Sequence, residues 1–595
     1  MADEVQNAEK AEVAEVAHVP SNVDEKEKDN DASSINEAAR GDNLPPGYYK
    51  NIQFIGLVVG FCLGIISTYV IFVMATTILS YTNADIGPSA NISWVSIART
   101  LGQSTVFLIQ GRLSDLFGRR WFYIGGNLVA LIGIVICSVA QNVTTLIIAS
   151  AIYGMGECVQ ISFGVAMGEL VANKHRPIVI SLMFLTSAPF AAFGPTISRK
   201  MIAVGLGWRW TYYLGIIVVG CATILMFLCY HPPTFNMLHE RKSKRQQLKE
   251  IDYVGIFLWA SGLALFLMGL SWGGGLYPWK SAAVIITIVL GFALLVAFGF
   301  WESYADLKYP VMPMAYFLNR GFISLVAMAT IASMFYYSAI IMWPSQVTSM
   351  FTTDVTYAGW LSCTVSAGTT LGQGTGGVLL RYGGNSRYLM IFAAISMVAF
   401  VVSLASLTPD TRSAGIALTI LGPFWVGFIE LSSMSLAPLF CKPEDIGLAS
   451  GMLSSIRSAG GSIAVAVYET ILTNRLSTTL PAVVGSAAIA AGYPESDVAK
   501  LAAAIKAGTW TTLPGLNEQI TAAIVGAIPT AYGQAFKTVY LASLAFGGIA
   551  IIGAICTKDA TKLLTNKVER RMHGKFIEKK STKLDVLPSK AADEQ

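Results

Sequence analysis

The chain has 595 residues, of which 54% are hydrophobic and only 13% charged, about half the charge of a typical soluble domain. Too little polar surface exists to cover a water-soluble fold of this size. The organising unit is therefore the membrane span of about 20 residues, and neither a soluble enzyme nor a nucleic-acid partner is expected. The net charge of +5 is small, so its placement matters more than its size. The eight cysteines stand singly in or at the ends of apolar segments, which is neither a disulfide framework nor a metal-ligand spacing. No metal site is expected.

Residues 1–50 are rich in Glu, Lys, Asn, Asp and Ser, a composition that cannot bury a core and is read as a disordered cytoplasmic tail without a cleavable signal peptide. From Ile52 onward, apolar runs of spanning length recur at 52–79, 92–110, 121–140, 144–168, 177–198 and 209–230. A basic linker follows at 231–250, then runs at 254–272, 281–301, 321–343, 357–380, 388–408, 414–438, 446–471 and 536–556. Fourteen spans put both termini on one side. Arg112, Arg119, Arg120, Arg241, Lys242, Lys244, Arg245, Arg381, Lys442 and a basic tail at 558–595 fall on that side, which the positive-inside rule makes cytoplasmic. The sequons at Asn91 and Asn142 then fall outside, close to the membrane, as possible glycosylation sites. The stretch 474–535 is Ala-, Gly- and Thr-rich and is read as an extracellular loop with weak helical tendency, a surface insertion rather than a gating lid.

Thr100-Leu101-Gly102-Gln103-Ser104-Thr105 in span two and Thr370-Leu371-Gly372-Gln373-Gly374-Thr375 in span ten differ at one position. With spans seven and eight set aside as an insertion, each string lies in the second helix of a six-helix half. Repeated halves are a common build of secondary carriers.

After span two comes Gly111-Arg112-Leu113-Ser114-Asp115-Leu116-Phe117-Gly118-Arg119-Arg120. It resembles the major facilitator signature between helices two and three, with Leu116 where the family has a basic residue. Gly111 and Gly118 permit close packing. Asp115 faces the positive end of a helix, and Arg119 and Arg120 are read as partners of carboxylates that shut an inner gate. Span five carries Phe193-Gly194-Pro195-Thr196, which resembles part of the antiporter signature, with Phe190, Ser198 and Arg199 in place of its flanking glycines; a generic transmembrane Gly-Pro kink is an equal reading. Gly194 and Pro195 are read as a kink where the halves meet. The frame that holds an Arg in span four of many drug/proton antiporters has Ser150 here. Trp208-Arg209-Trp210, Ile251-Asp252-Tyr253-Val254-Gly255, Trp272-Gly273-Gly274-Gly275 and Gly168-Glu169-Leu170 are similar to the fourteen-span fungal carriers, most of all the trichothecene efflux pump family.

That resemblance implies an all-α integral membrane fold of the major facilitator type. It has a first half at 51–230, two inserted helices at 251–302, and a second half at 303–557. It implies a proton-coupled exporter of a fungal secondary metabolite or toxin, working by alternating access and driven by the proton gradient with no bound cofactor. The protein is expected as a monomer in the plasma membrane, with the vacuolar membrane as the alternative, and with a small amphipathic organic substrate. Ferric-siderophore uptake is the alternative for the same architecture, and a non-transporting sensor ranks below it. No Gly-x-x-x-x-Gly-Lys-[Ser/Thr] string occurs, which argues against an ATP-driven pump.

Ionisable residues inside a membrane are functional candidates. In the family's plan the first and fourth helices of each half line the cavity. Glu157 in span four and Glu430 in span twelve are therefore proton-coupling or substrate candidates, since a carboxyl taken out of water can carry a proton, with Glu157 first because it lies nearer the bilayer midplane. Arg457 in span thirteen is a candidate for offsetting a carboxylate or meeting substrate. Arg99 and Glu469 are read as an outer ion pair, structural rather than gating. Tyr69 in span one and Phe335, Tyr336 and Tyr337 in span nine are expected to line the cavity, where aromatics and hydroxyls suit an oxygenated amphipath.

Overall fold

The computed structural model describes residues 48–565 except 88, 90, 233–249, 274–276, 443–444, 508–512 and 514–515, and leaves out the side chains of 115–117, 506 and 507. The expected tails and basic linker lie almost wholly outside those residues, as does the side chain of Asp115.

The described residues are helical apart from connections and two isolated bridges. Eleven helices are long and apolar enough to cross a membrane. They are α1 (Ile52–Thr77), α3 (Arg119–Val139), α4 (Val143–Leu170), α5 (Arg176–Ala203), α6 (Arg209–Cys229), α7 (Tyr253–Trp272), α8 (Ala282–Tyr304), α9 (Arg320–Phe351), α11 (Ser386–Ser406), α12 (Arg412–Phe440) and α14 (Glu518–Cys556). At the second, tenth and thirteenth expected positions stand α2 (Trp94–Phe117), α10 (Val355–Tyr382) and α13 (Ile446–Thr479). These three do not meet the same composition, and the reason is where they pack.

Helices α2 and α13 run against each other through small polar residues. Ser104 Oγ donates to Ser455 O at 2.9 Å and Ser455 Oγ returns a bond to Ser104 O at 2.6 Å. Ser462 Oγ donates to Thr100 Oγ1. A Cβ added to Gly111 would stand 2.7 Å from Gly447 O. Likewise α10 meets α5, where Gly377 N donates to Ser181 Oγ at 2.7 Å. Helices that bury their surface against protein, not lipid, associate through Gly and Ser and need no apolar belt. The inserted pair α7–α8 behaves oppositely: Phe257, Ile285, Ile286, Val289, Phe292 and Phe300 are exposed, as a lipid-facing surface is.

Two repeat-related glycines permit close helix approaches. A Cβ on Gly154 would lie 2.0 Å from Arg99 O, and one on Gly427 would lie 2.1 Å from Thr369 O. Gly154→Ala is therefore expected to destabilise by about 1–3 kcal/mol through overpacking, whereas Gly220→Ala and Gly548→Ala, which meet nothing within 4 Å, are expected to be neutral. Thermal unfolding of the three purified variants compares them directly.

The stretch 474–535 differs from expectation. Instead of a weakly helical loop, α13 continues to Thr479 and through Leu480–Gly485 into Ser486–Ala490. Another helix covers Val498–Ala507, and α14 already begins at Glu518. These pieces share a small core of Leu476, Leu480, Val484, Leu501, Ile520 and Ile524. Burial of that apolar stripe, not intrinsic propensity, orders the segment.

Candidate functional site: a closed cavity walled by two ion pairs

At the level of Tyr69, α1 widens into a π-turn over Val70–Met74, a geometry that often marks functional positions. It presents Phe72 to the Arg99 guanidinium, whose carbon lies 3.8 Å from the ring centroid, a cation–π contact. The surrounding cavity is about 50 Å³, lined by residues of α1, α2, α4, α5, α9, α10, α12 and α13, among them Tyr69, Arg99, Tyr336, Tyr337, Glu430 and Arg457. It can hold a few waters but not an organic molecule.

Two carboxylate–guanidinium pairs stand here. Arg99 Nη2 meets Glu157 Oε1 at 2.5 Å, with both side chains almost fully buried. Arg457 Nη1 meets Glu430 Oε1 at 3.1 Å, and the Arg457 side chain keeps 16% of its exposure. Glu157 and Glu430 occupy matching places, three residues after Gly154 and Gly427. The repeat offers Thr369 where Arg99 stands, so Glu430 takes its cation from α13 instead.

This arrangement changes several expectations. Arg99 does not pair with Glu469: its partner is Glu157, and Glu469 accepts from Ser93 Oγ. The close approach of α2 and α4 at Gly154 brings Arg99 to Glu157. Of the two carboxylates, Glu430 lies in the cavity wall, whereas Glu157 sits behind Arg99 and is fully buried. Phe335 turns away into a separate apolar chamber of about 40 Å³, with Ser338, Tyr468 and Tyr540; Tyr336 borders both spaces.

The loop after α2 is also rearranged. Gly118 has φ +88°, a left-handed turn that favours glycine. Arg119 pairs with Glu169 at 2.7 Å, both on the N-terminal helices, so this pair braces α3 against α4. Arg120 donates to the carbonyl of Phe227 at 2.9 Å, not to a carboxylate. Among the described residues a bridge between the halves runs through Asp445, which precedes α13: Arg112 Nη1 lies 3.1 Å from Asp445 Oδ1, and Tyr316 Oη donates to Asp445 Oδ2 at 2.5 Å. Asp445→Asn is expected to weaken closure at this end by about 1 kcal/mol, roughly a five-fold shift, readable as faster labelling of a cysteine placed at Leu448.

On α5 the helix is interrupted at Ser187, while Gly194 and Pro195 sit inside the continuous piece Ala188–Ala203. Gly194 packs on Met74 of α1, and it is Thr196 that reaches α10, 3.2 Å from Cys363 Sγ. Asn142 caps α4 through Thr145 N, and Asn91 is exposed.

Helices of two related sets around a small cavity, with two buried ion pairs among aromatic side chains, are an arrangement that suits a small-molecule transporter. The chain belongs to the fungal trichothecene efflux pump family, whose profile matches residues 16–594. It is 31% identical to the "Trichothecene efflux pump TRI12" of Fusarium sporotrichioides over 556 residues, 91% of this chain and 92% of that one. It is 30% identical to the "MFS-type transporter prx5" of Penicillium rubens over 74% of this chain and 81% of that one, which makes it a major facilitator. Among solved structures, an inward-facing bacterial homologue of the human lysosomal transporter Spinster covers 87% of this chain and 98% of its own, with 13% identity and a TM-score of 0.49.

Proposed function

We propose that this protein is a proton-driven exporter of a neutral, oxygenated fungal metabolite of the trichothecene type. It would work as a monomer in the plasma membrane by alternating access, with both termini cytoplasmic. The observation that carries the reading is the Glu430–Arg457 pair in the wall of a cavity closed between the N-terminal and C-terminal helices. A proton on Glu430 removes the charge that holds Arg457 and frees the wall. Loss of that proton on the cytoplasmic side restores the pair, so proton entry and cargo exit can share one cycle. The energy source is the gradient itself.

Cargo neutrality follows from the charges. Both buried carboxylates already carry a guanidinium partner, so an ionic cargo would enter without a counter-charge, at a cost of several kcal/mol. The aromatic wall of Phe72, Phe163, Phe184 and Tyr336 suits a fused-ring apolar body with hydroxyl or carbonyl oxygens. The names of the relatives support efflux over siderophore uptake.

The test is expression in yeast lacking its own drug pumps, with labelled trichothecenes and ferric siderophores as cargo, with and without a protonophore. Protonophore-sensitive toxin export is expected. Siderophore accumulation without toxin export would overturn the direction and the cargo, and toxin export indifferent to the protonophore would overturn the coupling.

A further inference from the structure

The six-residue repeat has one long polar side chain in each copy: Gln103 on α2, behind the cavity wall, and Gln373 on α10, in it. Both are buried, at 0% and 4% exposure. Tyr69 Oη on α1 donates to Gln373 Oε1 at 3.0 Å, and Tyr337 Oη on α9 lies 3.5 Å from Gln103 Oε1. Each contact joins the first helix of one helix set to the second helix of the other, so the two contacts are related as the repeat strings are. Tyr69, Tyr337 and Gln373 border the cavity.

The two amides differ in their second atom. Gln373 Nε2 donates to Glu430 Oε2 at 3.2 Å, which ties this contact to the carboxylate of the Arg457 pair. Gln103 Oε1 also accepts from Ser458 Oγ at 3.1 Å, while its Nε2 position has no partner among the described residues. Whichever way that amide is turned, one of its polar atoms is buried without a hydrogen bond. Such a group gains when a ligand supplies the missing partner.

We propose that Tyr69–Gln373 and Tyr337–Gln103 are paired latches that hold the empty cavity shut, that cargo opens the first by placing a hydroxyl on Gln373 Oε1 in place of Tyr69, and that the unpartnered amide of Gln103 takes a cargo oxygen as the second parts. Gln103 and Gln373 are then the specificity-determining residues of the transport site. They select a cargo with hydroxyl and carbonyl or ether oxygens: the amide at Gln103 takes an acceptor, and Gln373 Oε1, once Tyr69 leaves, takes a hydroxyl donor. Because Gln373 also holds Glu430, replacing Tyr69 by cargo disturbs the carboxylate proposed to carry the proton, which links occupancy to protonation through one side chain. The cargo half of this inference rests on the export reading; the latch half does not.

The two halves are tested separately on the full chain in lipid nanodiscs or proteoliposomes. For the latches, Ile65→Cys in the cavity wall reports opening through its rate of reaction with N-ethylmaleimide, read by peptide mass so that the native cysteines serve as references. Tyr69→Phe and Tyr337→Phe, each removing only a hydroxyl, are expected to raise that rate about five-fold each, and about 25-fold together. Unchanged rates in both single variants and the double variant would overturn the latches. For specificity, Gln103→Leu and Gln373→Leu are expected to raise the KM for a hydroxylated trichothecene about ten-fold or more. The KM for its fully acetylated analogue should rise less in Gln373→Leu than in Gln103→Leu, since that analogue keeps acceptors but has no donor. Equal KM values in wild type and both leucine variants would overturn the specificity assignment. No flux in the wild type would sink the export reading, and with it the cargo half, while the labelling rates would still decide the latches.

Discussion

Glu430→Gln is expected to yield a folded, membrane-inserted protein that no longer moves cargo uphill. The substitution keeps the side chain's shape and its contact with Gln373 but can neither hold nor release a proton. Arg457, left without its carboxylate, still borders the cavity and retains some exposure, so water can take up part of the lost interaction and the fold survives. Protonophore-sensitive efflux should fall about 100-fold or more, the factor corresponding to about 3 kcal/mol. Exchange of labelled for unlabelled cargo with no gradient should persist, because it needs the latches and the wall but no net proton. Loss of that exchange as well would mean that Glu430 holds the site together and does not couple it.

Glu157→Gln is expected to behave differently, and the contrast separates the two carboxylates. Its partner Arg99 borders the same small cavity but is 4% exposed and packed on Phe72, so removing the carboxylate leaves its guanidinium with less access to water than Arg457 has. Taking one member from a buried pair costs about 3–5 kcal/mol, a large share of a protein's net stability. Low yield and early thermal aggregation should result. Replacing both partners with apolar residues, Arg99→Leu with Glu157→Met, should recover most of that stability, because neither charge is then left alone. Size-exclusion profiles after a heat step compare the single and double variants. A Glu157→Gln protein as stable as wild type but devoid of transport would instead return Glu157 to the coupling role.

Much of the architecture was legible because hydropathy is a long-range average and tolerates errors of a few residues. The helices that break the pattern, α2, α10 and α13, break it for a reason visible in their composition. Ser104, Ser455, Ser462 and Gly111 belong to an interface between protein surfaces, not to a belt facing lipid. The helices within 474–535 are less legible, although their spacing carries a signal. Leu476, Leu480 and Val484 recur every four residues, as do Leu501 and Ile505 and again Ile520 and Ile524. The Ala and Gly between them obscured the stripe.

The site was legible in its members but not in its pairings. Arg99, Glu157, Glu430 and Arg457 stand out as charges in apolar sequence, yet which cation meets which carboxylate depends on rotation and approach of helices. A glycine at 154 that lets α4 touch the backbone of Arg99 decides one pairing, and the substitution of Thr369 for an arginine decides the other. Asp445 escaped notice because it precedes a span and reads as a loop charge, although it makes the cross-bundle bridge with Arg112. Gln103 and Gln373 stand in the sequence only as letters of a repeat, and their chemistry depends on Tyr69 and Tyr337, which the fold brings beside them.

The most direct test of the account is cargo-evoked proton movement in proteoliposomes loaded with a pH-sensitive dye. Adding a trichothecene to vesicles containing the wild-type protein should drive protons in the direction opposite to the cargo, at a fixed ratio, and Glu430→Gln should abolish the proton signal. Cargo flux with no accompanying proton movement in the wild type, or an undiminished proton signal in Glu430→Gln, would contradict it.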